Sequence, residues 1–403
     1  MKLRLVLAVL AKKNPANAKY TIKSNGDKRE DPSIYTGTGG NIVVYWEQYN
    51  LYKHLANKEK MTEHLKNTLT AFETNIELAD SGKIPSKRLT SPSFYTGLPG
   101  LYTMGTLIYK EMGKVEEMKA CYGKVIDSMK LCEAKDVNDE LLYGTAGYLY
   151  CLLKLYMLDK VQFDCKAQII KATNLLKTQG ISSKLKGVLC YTFPKGGKKM
   201  YFGAAHGLMG ILYILIQAVE VVEELMKDKE LLKLIEGSSD YMLTQQYPSG
   251  NFKSSLGSEN DKLIHFCHGA PGAISFLLSA HKFFKKDQYL KAALKAGEII
   301  WQRGILYKGN GLCHGITGNA LPLHTLYRAI GDEKWRYRSR MLIDASWDKE
   351  IQEIVKNHDS PGRLAAGVPD TPYSLMEGMG GTAVVYASLM GKEDEVKFPG
   401  YEL

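Results

Sequence analysis

The chain has 403 residues, 45% of them hydrophobic and 24% charged, with a formal net charge of +10. That length and balance suit a globular protein with a sizeable core and exclude a disordered or fibrous chain. The positive charge favours anionic partners, but it is scattered in pairs such as Lys12-Lys13 and Lys285-Lys286, with no block suited to nucleic acid.

At the N-terminus, the basic Met1-Lys2-Leu3-Arg4 precedes the apolar run Leu5 to Ala11, and Lys12-Lys13 follows at once. The pattern admits a short signal peptide or an amphipathic first helix. No apolar run approaches the roughly 18 residues of a membrane span, and a cytoplasmic location is expected, with no membrane contact indicated. Tyr20 to Lys23 and, later, Val188 to Phe193 are the best strand candidates, both short.

From there a Gly-x-x-Gly turn recurs seven times, starting at Gly37, Gly97, Gly144, Gly207, Gly269, Gly315 and Gly378, at intervals of 46 to 63 residues. Such an interval holds two helices and their loops, the mark of an internal repeat. The segments after the turns are apolar nearly all round, as in Tyr148 to Tyr156 and Ile211 to Ile216, and so predict buried helices. The stretches between, such as Glu220 to Leu234, are amphipathic. Loops are expected at Pro194 to Gly197, Pro248 to Asn251 and Asn357 to Pro372. The expected fold is all-α: paired helices that can close into an α/α toroid with the glycine turns at one rim, where an open solenoid would spread the turns along a line. Residues 1–34 read as an atypical N-terminal segment and 35–403 as a single domain.

The odd count of seven cysteines in a chain of this size favours reduced thiols. Only Cys267 and Cys313 are followed at once by His and Gly, as His265-Phe266-Cys267-His268-Gly269 and Leu312-Cys313-His314-Gly315, each at a turn. Two thiolates and one imidazole suit zinc and leave a fourth position open. Cys267, Cys313 and His314 are therefore candidate ligands, against the alternative of two Cys-His pairs brought together by packing alone. His206 holds the equivalent rim position in the fourth repeat, either as a general acid or base or as an ordinary rim histidine. His268 and His265 flank Cys267 as candidates to support it, or as surface histidines. Glu140 and Glu377 lie just before the third and seventh turns, placed to orient a histidine or to sit favourably at a helix N-terminus.

These motifs are similar to those of the LanC-like proteins, the eukaryotic relatives of the lantibiotic cyclases. Ala204-Ala205-His206-Gly207, the two Cys-His-Gly stretches, Pro369-Asp370-Thr371-Pro372 and the ending Phe398-Pro399-Gly400-Tyr401-Glu402-Leu403 carry the resemblance. It implies an α/α toroid of seven helical hairpins holding Zn2+ on Cys267, Cys313 and His314. It also implies binding of glutathione, with contacts at Lys308 and, more loosely, Pro369 and Asp370. The activity implied is addition of the glutathione thiol to dehydroalanine or dehydrobutyrine in proteins or peptides, forming a thioether, with His206 as the proton donor. Gly367 stands where relatives carry an arginine, and the segment before Tyr35 lacks the familiar opening helix pattern. Two other readings remain: a glutathione- or peptide-binding adaptor with a structural zinc and no turnover, and a toroid enzyme of another kind. A glycosidase would need an acidic pair at the rim, which Glu140 and Glu377 would have to supply.

Overall fold

The computed structural model describes residues 2–85, 89–181, 185–357 and 368–403. Gly367 lies outside the described residues. Helix α1 spans Lys2–Lys13 and is followed by a two-stranded antiparallel ribbon, β1 (Thr21–Ile22) with β2 (Lys28–Arg29), in the register Thr21↔Arg29 and Ile22↔Lys28. The turn between them contains Asn25-Gly26 with Gly26 at φ 88°, a left-handed position that glycine adopts freely. The strand expected at Tyr20 to Lys23 is thus present. Among the described residues, Val188 to Phe193 forms no strand and takes part in one isolated bridge, Ile181↔Leu189.

Seven helices begin at the glycine turns, as the repeat predicts: α2 (Gly40–His54), α4 (Leu98–Glu111), α7 (Thr145–Leu158), α9 (Leu208–Val221), α12 (Ala270–Phe284), α14 (Ile316–Ile330) and α17 (Met379–Met390). Between them run α3 (Lys58–Asp80), α5 (Val115–Asp127), the short α6 (Met129–Cys132), α8 (Lys166–Gly180), the short α10 (Glu223–Met226), α11 (Lys229–Leu243), α13 (Asp287–Arg303), α15 (Glu333–Ala345) and α16 (Lys349–Asn357). Eleven residues of α9, among them Leu208 to Ile216, are buried. In α11 the buried residues are confined to Leu231, Ile235, Ser238, Ser239 and Met242, one face of the helix. Side-chain caps start several helices of this second kind: Asn57 accepts from the Lys60 N–H, Asp228 from the Leu231 N–H and Asp332 from the Lys334 N–H.

The second glycine of each turn has one structural reason. The carbonyl six residues earlier crosses over the first turn of the helix at van der Waals range. A Cβ on Gly318 would lie 1.9 Å from the Leu312 carbonyl oxygen, and one on Gly210 would lie 2.0 Å from that of Ala204. No side chain fits there, so the spacing was visible in the sequence as glycine.

The described residues fall into two compact units. One is made of 1–89, 104–118 and 303–399. In it α17 packs against both α2 and α14, α3 lies along α2, and α15 lies along α14. Helix α1 packs against α17 as well, burying Leu3, Val6 and Leu10 and leaving Leu5 and Val9 exposed. The segment is thus an amphipathic helix in the structure. The other unit is made of 90–103, 119–302 and 400–403. There α9 packs against α7 and α12, with α8 along α7 and α11 against both α9 and α12. Its C-terminal residues are fastened within it: the Tyr401 hydroxyl donates to the Gly272 carbonyl at 3.1 Å, and Ser275 donates to the Glu402 carboxylate.

Candidate metal centre

The glycine turns place their preceding residues in a repeated way. Two residues before the first glycine stand Tyr35, Tyr95, Leu142, Ala205, Cys267, Cys313 and Met376. Backbone hydrogen bonds join these positions from turn to turn. The Cys313 N–H donates to the Met376 carbonyl at 2.8 Å, the Met376 N–H to the Tyr35 carbonyl at 3.1 Å, and the Leu142 N–H to the Ala205 carbonyl at 3.2 Å. These bonds tie down the main chain beside the residues that follow, His206, His314 and Glu377.

Among the described residues, one group of three metal-ligating side chains comes together: a ligand atom each from Cys267, Cys313 and His314, all within 4.8 Å of one another. Ligands around a tetrahedral zinc, at about 2.3 Å for sulfur and 2.0 Å for nitrogen, are separated by about 3.5 to 3.8 Å. The donor set and its spacing thus fit zinc with a small inward adjustment. All seven cysteines are free thiols. Cys121, Cys132, Cys151 and Cys165 are buried; burial pushes the thiols of Cys132, Cys151 and Cys165 up to about 12, so these are inert core residues.

Burial alone would pull the pKa of His314 down. The neighbouring Cys313 thiol and the Glu377 carboxylate outweigh it, against Lys308, and the net direction is upward. Lys308 and Glu377 therefore both act on the candidate ligand. Glu377 accepts a hydrogen bond from the Thr371 hydroxyl at 2.7 Å, which fixes its carboxylate. Pro369 is half-buried and Asp370 exposed; the Asp370 carbonyl accepts from the Ser24 N–H at 3.0 Å. A contact that sequence reasoning missed is the Tyr35 hydroxyl, which donates to Cys313 Sγ at 2.8 Å. Only the equivalence of Tyr35 to the two cysteines in the repeat could have signalled it.

His206 stands in an aromatic stack. Its ring lies 4.3 Å from that of Phe193, at 25°, and 5.8 Å from that of Tyr143, at 13°. His268, next to Cys267 in the chain, is 6.2 Å from His206 between ring centroids, and Tyr201 packs against it at 5.2 Å. Glu140 is buried and accepts from the backbone N–H groups of Leu142 and Tyr143. Its Oε2 lies 3.7 Å from His206 Nδ1, too far for a hydrogen bond, and that nitrogen is buried without a hydrogen-bond partner. Glu140 therefore braces the turn and sets a negative charge beside the imidazole. The His265 N–H donates to the His268 carbonyl at 3.1 Å, so it closes the loop around Cys267. A separate cavity of about 450 Å³ lies among α1, α2 and α3, with Asn41, Gln48 and His64 in its wall, and none of the residues above lines it.

The Lanthionine synthetase C-like protein family model matches residues 28–403. The glutathione S-transferase LANCL1 of Danio rerio is 32% identical over 395 residues, which is 95% of this chain and 88% of that protein. The LanC-like protein GCL1 of Arabidopsis thaliana is 28% identical over 389 residues, covering 93% of this chain and 82% of that protein. Among solved structures, nisin cyclase superimposes with a TM-score of 0.66 at 16% identity, over 96% of this chain and 93% of that one. That likeness concerns the fold, and the fold is the α/α toroid that the motif resemblance implies. With a family model spanning nearly all of it, the chain belongs to the lanthionine synthetase C-like family.

Proposed function

We propose that the protein joins the thiol of glutathione to dehydroalanine or dehydrobutyrine residues in proteins or peptides, using a zinc ion held by Cys267, Cys313 and His314. The observation that carries this reading is the convergence of those three donors within 4.8 Å, supported by the relative whose name is glutathione S-transferase LANCL1. Zinc bound there would supply a Lewis acid that lowers the pKa of a thiol from its usual value of about 8.5.

The remaining work belongs to the side chains. Lys308, half-buried and close enough to act on His314, offers a cation to a glutathione carboxylate. Asp370 offers an anion to its amino group, and Pro369 shapes the same segment. The thiol sulfur forms a bond to the β-carbon as the double bond opens, and the α-carbon takes a proton. No oxidant or reductant is needed: the thiol's hydrogen and sulfur are added across one double bond. His206 supplies the α-proton, its imidazole held flat by Phe193 and Tyr143 and set 3.7 Å from the Glu140 carboxylate.

The test is incubation of the purified protein with glutathione and a dehydroalanine peptide, followed by mass spectrometry. The thioether adduct is expected from the wild type and lost in Cys313→Ala. A zinc-containing protein that binds glutathione but gives no adduct would instead support an adaptor with a structural metal.

A further inference from the structure

Tyr35 and Cys313 occupy the same position in two different repeats, two residues ahead of the first turn glycine. Their main chains are tied through Met376, whose N–H donates to the Tyr35 carbonyl at 3.1 Å and whose carbonyl accepts from the Cys313 N–H at 2.8 Å. The half-buried Tyr35 side chain then closes the path, its hydroxyl 2.8 Å from Cys313 Sγ. That distance decides the role of the hydroxyl. Two ligands of one tetrahedral zinc, a sulfur at about 2.3 Å and an oxygen at about 2.0 Å, would stand about 3.5 Å apart. The shorter separation is that of a hydrogen bond from O–H to sulfur.

We propose that Tyr35 is a positioning residue for the metal centre: its hydroxyl donates to the Cys313 sulfur, fixes its direction and withdraws charge from it. The inference rests on the metal reading given above. Two consequences follow. A thiolate that accepts a hydrogen bond gives less charge to a metal, which leaves the metal the stronger Lewis acid. The same sulfur becomes a weaker nucleophile, so Cys313 itself is kept from adding to an electrophilic dehydroamino acid in the site.

Cobalt(II) is the probe, because its absorption reports the thiolate ligands directly. Wild type and Tyr35→Phe are loaded with cobalt, and zinc affinity is measured by competition with a chelator. In Tyr35→Phe the thiolate-to-cobalt charge-transfer band is expected to move to longer wavelength. Zinc affinity is expected to fall roughly 10- to 100-fold, the usual cost of losing a partner of a metal ligand. The phenylalanine ring preserves packing, so a merely structural role for Tyr35 would leave the band in place. An unchanged band with zinc affinity within about twofold of wild type overturns this inference and leaves the metal reading standing. A wild-type chain that takes up neither metal overturns both.

Discussion

At the scale of single residues, the site divides into donors that the sequence displays and partners that it conceals. Cys267, Cys313 and His314 were legible because a rare pair of residue types recurs at one repeat position. The contact of Tyr35 with Cys313 was not, since 278 residues separate them and nothing local marks the tyrosine. Phe193 was hidden for a similar reason: it stacks on His206 across an irregular loop that follows no helical or strand period. His206 is where a prediction belongs. If it delivers the α-proton, His206→Asn should lower the rate of adduct formation by about 10²- to 10⁴-fold, the range for a general acid. Zinc content should stay at the wild-type level. Loss of zinc together with activity would place His206 among the metal's supports instead.

At the scale of elements, the glycine turn is the unit that repeats, and its cause is steric. Helix starts were legible because seven carbonyls cross seven helix beginnings, and only glycine tolerates the crossing. Glycines without that duty should behave in the opposite way, which gives a paired prediction. Gly100→Ala would place a Cβ 1.8 Å from the Phe94 carbonyl oxygen and should cost about 1–3 kcal/mol through overpacking. Gly123→Ala, inside α5 with nothing within 4 Å of the added carbon, should stabilise by about 0.5–1 kcal/mol. Urea denaturation of the two variants beside the wild type reads both signs. Helix α1 shows what local pattern left open. Its basic start and apolar run fit a leader as well as a helix; in the structure it is a helix packed against α17, through Leu3 on Ala387 and Leu51.

At the scale of the whole molecule, the net charge of +10 acts over distances that the candidate site does not. Acidic peptides carrying a dehydroamino acid should associate faster than neutral ones. That advantage should shrink as ionic strength rises from low to physiological, where the screening length is about 8 Å. Stopped-flow binding across a salt series checks it, and a rate that ignores salt would remove long-range attraction from the account. The fold itself was legible on this scale: the recurrence of one turn predicts paired helices, and the resemblance of the motifs implies their closure into a toroid. What the recurrence leaves open is which repeats carry chemistry, because all seven share one steric pattern at the second glycine and chemistry lies in the side chains.

The backbone hydrogen bonds that run from Cys313 to Met376 to Tyr35, and from Leu142 to Ala205, use only N–H and carbonyl groups. They take no notice of which side chain stands at each position. Tyrosine, leucine, alanine, cysteine and methionine all occupy it in this one chain. Architecture and reactivity are thus inherited on separate terms. A descendant of this protein that loses both cysteines keeps every rung of the ladder, and with it a folded molecule free to take up a different chemistry at the same address.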